Sequence, residues 1–219
     1  YLRRNAENYP THELGPIAKI LKLNRGNRML TLNSVASSAH GLEDYLERNK
    51  DDYPGVCGRH FAQGDVVTTI IKCAGGETIR LTLDTTLPRY YSRGFTVHGT
   101  RALYTEDNHS IFIDGDEEIE KADFEWNKQW GNADKFRDKY EHPIWKEFLK
   151  DEIRGGHGGM DWLVFDAFFD ALRNNKPMPI DVYDAASWMA VTYLSEASIA
   201  AGGQTVAFPD FTKGRWIHE

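Results

Sequence analysis

The sequence predicts an α+β fold: an open, mainly antiparallel or mixed β-sheet with helices packed on one face. Runs rich in β-branched residues, DVVTTIIKC (65–73) and TIRLTLDTT (78–86), follow one another without an intervening helix, so they should pair antiparallel. Two later stretches, 160–173 and 182–201, place apolar residues at helical spacing. The 219 residues, 41% hydrophobic, suffice for a substantial core.

The elements follow in order. Thr11 is placed to cap a first helix whose apolar Leu14, Ile17, Ile20 and Leu21 share one face, with Gly26 in NRGN as its stop signal. RMLTLNSVASS (28–38) reads as a strand, and GLEDYLERNK, from Gly41, as a short polar helix. The loop 51–64 leads into the β-branched runs, which the turn AGGE joins into a hairpin. Further strands are expected in GFTVHGT, RALYTED and SIFIDG, with a tight turn at Gly99 and Thr100. Residues 117–154 turn charged and aromatic and read as short helices and loops without fixed bounds. The helix 160–173 carries Leu163, Val164, Ala167, Phe168 and Leu172 on its apolar side. The helix 182–201 carries Ala185, Trp188, Met189, Thr192, Leu194 and Ile199 and closes at Gly202 and Gly203. Asp161 and Asp181 stand at the two helix starts, where a carboxylate suits the positive end of the dipole. TVAFPDF supplies a last short strand or extended tail.

Composition removes several function classes. The net charge is −7 and no basic run with interleaved aromatics occurs, so nucleic acid is not an expected partner. No stretch approaches the roughly 20 apolar residues of a membrane span, so no membrane partner is expected. Cys57 and Cys73 lack metal-type spacing and read as buried free thiols, with a disulfide between them left open; no histidine pair has zinc spacing. There is no G-x-G-x-x-G after a strand, no G-x-x-x-x-G-K-[ST] and no βαβ alternation, so the chain by itself should not bind a dinucleotide in the usual manner.

Four places can carry chemistry. NYPTHELGP sets Tyr9 and His12 at the entrance of a helix, where a phenol and an imidazole can share a hydroxyl or move a proton; the structural alternative is that Tyr9 packs and His12 helps to cap. In TTLPRYYSRGF, Arg89, Tyr91 and Arg93 alternate, so on an extended backbone they face one side, as a binding face or as a solvated one. GGHGGMD surrounds His157 with four glycines before a helix, which lets backbone approach a ligand; a flexible linker is the alternative. EHPIWK offers His142 and a Trp145 that could stack on a sugar ring, or that simply packs. The acidic cluster 114–125 reads as a solvated face, and His109 and His218 have no nameable partner.

Taken together, NYPTHELGP, GDVVTTIIKCAGGETI, DTTLPRYYSRGF, GGHGGMD, DVYDAASWM and PDFTKGRW resemble glycoside hydrolase family 109, NAD-dependent α-N-acetylgalactosaminidases within the glucose-fructose oxidoreductase and inositol dehydrogenase-like group. The resemblance covers nearly the whole chain and matches the family's C-terminal half. It implies that residues 1–219 form a substrate-binding and oligomerising domain, with an N-terminal NAD-binding Rossmann domain lying outside this chain. The mechanism it implies is oxidation of the sugar at C3, elimination of the aglycone, water addition and reduction, with net retention and no need for a flanking carboxylate pair. It also implies that Tyr9 and His12 act at the sugar, His12 near the C3 or C4 hydroxyl, and that Tyr91 contacts the sugar; His157, Arg89 and Arg93 are substrate-binding candidates from the residue patterns alone. No metal is implied. The expected partner is an N-acetylgalactosaminide, with a homo-oligomer formed through an apolar sheet face. Family members often carry a twin-arginine export signal, which implies a periplasmic or secreted location.

Two readings compete with the glycosidase. One is a domain of an NAD(P)-dependent sugar oxidoreductase or dehydrogenase, which would accumulate oxidised sugar. The other is a non-catalytic carbohydrate-binding or assembly module, which would bind sugar without an upstream domain. By itself, the chain is expected to be inactive.

Overall fold

A computed structural model describes residues 1–120, 129–150 and 154–218. The chain forms two compact units, residues 1–89 with 177–219, and residues 90–176.

The first unit is built on a four-stranded sheet in the order β3-β2-β1-β7. Its strands are β1 (Met29–Ala36), β2 (Val66–Cys73), β3 (Thr78–Asp84) and β7 (Val206–Ala207), each pair antiparallel as the sequence predicts. Period-two alternation decides the faces. In register, Leu32 lies opposite Ile71, and Ile71 opposite Ile79, all on the buried side. That side is covered by α1 (Pro10–Ile20) and α7 (Val182–Ala200), whose Leu14, Ala18, Trp188, Val191 and Leu194 join the strand residues in one core. Burying each large apolar side chain contributes on the order of 1.5–3 kcal/mol. α2 (Gly41–Arg48) is anchored from outside itself: Asp65 accepts the backbone N–H groups of His40 and Gly41 and the Thr86 hydroxyl.

α7 buries small polar residues, one of which, Ser198, meets β1. Ser187, Ser195 and Ser198 are all buried. The Ser198 hydroxyl accepts the Ser34 N–H at 2.9 Å and donates to the Gln204 carbonyl at 2.6 Å, so a close helix-to-strand approach leaves no orphaned group there.

The second unit holds a three-stranded antiparallel sheet, β4 (Thr96–His98), β5 (Ala102–Thr105) and β6 (Ser110–Ile113). The expected turn at Gly99 is present, its N–H bonded to the Ala102 carbonyl at 2.8 Å. The Asn132 amide pairs with both the N–H and the carbonyl of Ile111, covering part of the open edge of β6 as a strand would. The region left without bounds contains α3 (Glu117–Glu120), α4 (Arg137–Tyr140) and α5 (Pro143–Phe148), followed by α6 (Met160–Arg173). Positions 121–125 of the acidic cluster, and 124–128 of the aromatic stretch, lie outside the described residues.

Several expectations are corrected. Thr11 does not cap α1: the helix starts at Pro10, two residues earlier than a Thr11 cap implies, and a proline's missing N–H costs nothing in that first turn. Nor does α1 run on to Gly26; it ends at Ile20, and the chain then turns through Lys22 and Asn24 at positive φ. Ile20 is exposed, as are Met189 on α7 and Val164, Phe168 and Leu172 on α6. The only buried residue of α6 is Ala171. The other face of the larger sheet mixes the two kinds of side chain: Thr31, Asn33, Thr68, Lys72, Thr78, Arg80 and Thr82 stand with Val35, Val66 and Ile70. Finally, β3 ends at Asp84 and β4 begins at Thr96, so no strand aligns Arg89, Tyr91 and Arg93.

Candidate functional site

Tyr9 and His12 form the most organised pair of predicted site residues. Tyr9 occupies the residue before α1, with a non-helical backbone, and His12 lies in the first turn. Their rings stack, with centroids 4.5 Å apart and planes 16° from parallel. Both are exposed, so a phenol oxygen and an imidazole edge meet solvent side by side. Pro16 cannot donate the N–H that would bond the His12 carbonyl, leaving the entrance turn looser than a regular helix. The chain held in this way can offer two hydrogen-bonding groups to adjacent hydroxyls and move a proton between them and a ligand.

Beneath this pair lie two carboxyls that sequence reasoning missed. Glu7 is fully buried; burial, helped by the Glu13 charge and opposed by the Tyr9 N–H, pushes its carboxyl up to about 8. Burial likewise pushes Glu13 up to about 7. One carboxyl oxygen of each is buried without a hydrogen-bond partner. No spacing signal marks them, since Glu7 precedes the helix and Glu13 lies within it.

Arg89 is turned onto its own strand end: its Nε donates to the Asp84 carbonyl at 2.9 Å and lies 3.7 Å from the Asp84 carboxylate. It belongs to the first unit with Tyr9 and His12, whereas Tyr91, Arg93 and His157 belong to the second. Tyr91 is 83% exposed and Arg93 is exposed.

The glycines around His157 have a local explanation. Gly155, Gly158 and Gly159 adopt φ of 81°, 65° and 95°. A Cβ on Gly156 would lie 2.6 Å from the Asp161 carboxylate. The turn thereby brings the His157 Nδ1 to 2.9 Å from both Asp161 oxygens. The Asp161 hydrogen bond and charge raise the imidazole above its ordinary 6.5, keeping it protonated further toward neutrality. In an NMR titration, wild-type His157 should therefore titrate above 6.5 and Asp161→Asn should bring it back down; equal midpoints would show that the contact is absent in solution. Asp161 stands in the first turn of α6 as expected and also holds His157, while Asp181 caps α7 by accepting the N–H groups of Tyr183 and Asp184.

The other candidates have local partners. The His142 Nδ1 accepts the Ile144 N–H at the start of α5, and Trp145 packs edge-on against Phe148. His109 does have a partner, with its Nε2 3.2 Å from Asp134. Cys57 and Cys73 are free thiols; burial pushes Cys73 up to about 11, and the Glu47 carboxylate that accepts the Cys57 thiol raises it too, so neither is poised as a nucleophile. Among the described residues no cluster could hold a metal ion, and no helix is long and apolar enough to cross a membrane.

A family model described as Glycosyl hydrolase 109, C-terminal domain, matches residues 1–218. An alpha-N-acetylgalactosaminidase of Tannerella forsythia is 44% identical over 216 residues, which cover 98% of this chain and 44% of that protein. A glycosyl hydrolase family 109 protein of Stenotrophomonas maltophilia is 46% identical over 217 residues, 98% of this chain and 46% of the relative. An alpha-N-acetylgalactosaminidase of Shewanella oneidensis is 38% identical over 222 residues, 100% of this chain and 47% of the relative. The chain thus spans under half the length of these relatives.

Proposed function

The chain belongs to glycosyl hydrolase family 109, and from that premise we propose that it is the sugar-binding part of a longer retaining glycosidase acting on terminal α-N-acetylgalactosamine. The observation that carries this reading is the stacked, exposed Tyr9 and His12 pair at the entrance of α1. The ring edges can meet neighbouring hydroxyls of one sugar, and the imidazole can take or return a proton at such a hydroxyl or at the adjacent carbon. Tyr91, with its exposed phenol, is proposed as a further sugar contact.

NAD is proposed as the cofactor of the longer protein, where it would supply reversible oxidation of a sugar carbinol. What supports this is the glycine-rich turn before α6, which among the described residues has no strand directly in front of it and is occupied by the His157 and Asp161 contact. NAD is thus proposed to be held mainly by polypeptide outside this chain. The roles of Tyr9 and His12 as hydroxyl-binding and proton-moving groups follow without it.

The test is hydrolysis of an α-N-acetylgalactosaminide by the full-length protein in heavy water. Release of sugar carrying deuterium at C2 is expected, since a proton moved at that carbon exchanges with solvent. Release without deuterium would remove the C2 proton step, and accumulation of oxidised sugar without hydrolysis would replace the glycosidase with a dehydrogenase.

A further inference from the structure

We propose that Glu7 is the positioning residue of the Tyr9 and His12 pair: its buried carboxyl holds the Tyr9 backbone at the entrance of α1 and so sets where the phenol and the imidazole stand. It rests on the functional reading above only in its kinetic readout. Glu7 is fixed from two sides. Its own N–H donates to the Ser195 hydroxyl at 2.8 Å, and that hydroxyl, itself fully buried, donates to the Thr192 carbonyl, so the anchor belongs to α7. The Glu7 Oε1 accepts the Tyr9 N–H at 3.3 Å. Tyr9 precedes the helix and no side chain of α1 caps it, so α1 has no capping bond of its own to fix that backbone.

The other Glu7 oxygen, Oε2, is buried without a partner, as is the Glu13 Oε2. An ionised oxygen there would be a desolvated charge beside a second carboxyl, which burial and like-charge repulsion both disfavour. Glu7 therefore holds its proton on Oε2 at neutral pH, leaving Oε1 to accept from Tyr9. The group acting on it by charge is Glu13 of α1. α7 presents the neutral Ser195, and the loop before β2 presents the neutral Gln63 amide, which bonds the Ala6 backbone. Arg4 and Glu196 of α7 are engaged with one another at 2.6 Å. Ionisation of Glu7 near pH 8 puts two like charges under the helix entrance and displaces Tyr9.

The experiment compares full-length wild type, Glu7→Gln and Glu7→Leu. Glutamine keeps an oxygen for the Tyr9 N–H and stays neutral at every pH; leucine removes the acceptor. The first readout is the ring-current-shifted proton resonance of His12 over Tyr9. Wild type should show an inflection near pH 8, distinct from that of Glu13 near 7, that Glu7→Gln lacks, and Glu7→Leu should lose the ring-current shift while remaining folded. Survival of that inflection in Glu7→Gln, or an unchanged shift in a folded Glu7→Leu, overturns the proposal. The second readout is turnover, expected to fall about tenfold per pH unit above the ionisation in wild type and not in Glu7→Gln. Absence of any hydrolysis in wild type would defeat the functional reading, while the His12 resonance would still decide the role of Glu7.

Discussion

Full-length protein carrying His12→Ala is expected to lose about 10²–10⁴-fold in turnover of an α-N-acetylgalactosaminide, the usual contribution of a positioned acid–base group. The loss should fall on kcat more than on KM, because a proton-moving imidazole matters most where charge develops. Tyr9→Phe keeps the stack at 4.5 Å and removes only the hydroxyl, so its smaller loss should reflect one hydrogen bond to substrate. The thermal midpoint should hold in both variants, since both side chains are exposed. His12→Ala with unchanged kcat would remove the imidazole from the chemistry and leave the pair as a surface feature.

Arg25→Ala is expected to destabilise the protein by about 3 kcal/mol, toward the lower end for breaking a buried ion pair. Asp184 is 1% exposed on α7; the Arg25 guanidinium grips its two oxygens at 2.8 and 3.0 Å and also reaches Asp181 at 3.0 Å. The estimate stays low because the Arg25 side chain is one-third exposed, Asn24 still donates to Asp184, and Lys19 lies 3.8 Å away. At roughly 2–4 °C per kcal/mol for a domain of this size, the thermal midpoint should drop by about 10 °C. The effect has a sign with pH. Burial by itself raises the Asp184 carboxyl, but the hydrogen bonds from Arg25, the Asp181 N–H and Asn24 outweigh it and hold it below its ordinary value. A carboxyl lowered on folding stabilises fully above its unfolded value of about 3.9 and loses that contribution as pH falls through the native one. The gap between wild type and Arg25→Ala should therefore close in acid, and a gap equally wide at pH 3 and pH 7 would refute the ion-pair account.

Much of the fold was legible because its signals are local. The hairpin of β2 and β3 follows from β-branched runs around AGGE, and α6 and α7 follow from apolar spacing. The start of α1 differs from the sequence expectation because a threonine two residues after tyrosine has a cap's composition, whereas Pro10 takes a first-turn position in which its missing N–H is harmless. Tyr9, His12 and the His157 loop were visible as residue types. Glu7, Glu13, Arg25 and Asp184 were not, because exposed and buried carboxyls look alike in a sequence.

By itself the sequence determined the strand and helix identities, the antiparallel pairing and the family, since these rest on periodicity and on short motifs that a chain carries wherever it folds. Only the tertiary structure decided which carboxyls lie in the interior, that Asp65 anchors α2 across 24 residues, and that the glycines at 155–159 seat His157 on Asp161. Burial and partners at long sequence separation set those energies, and neither exists until the chain has packed.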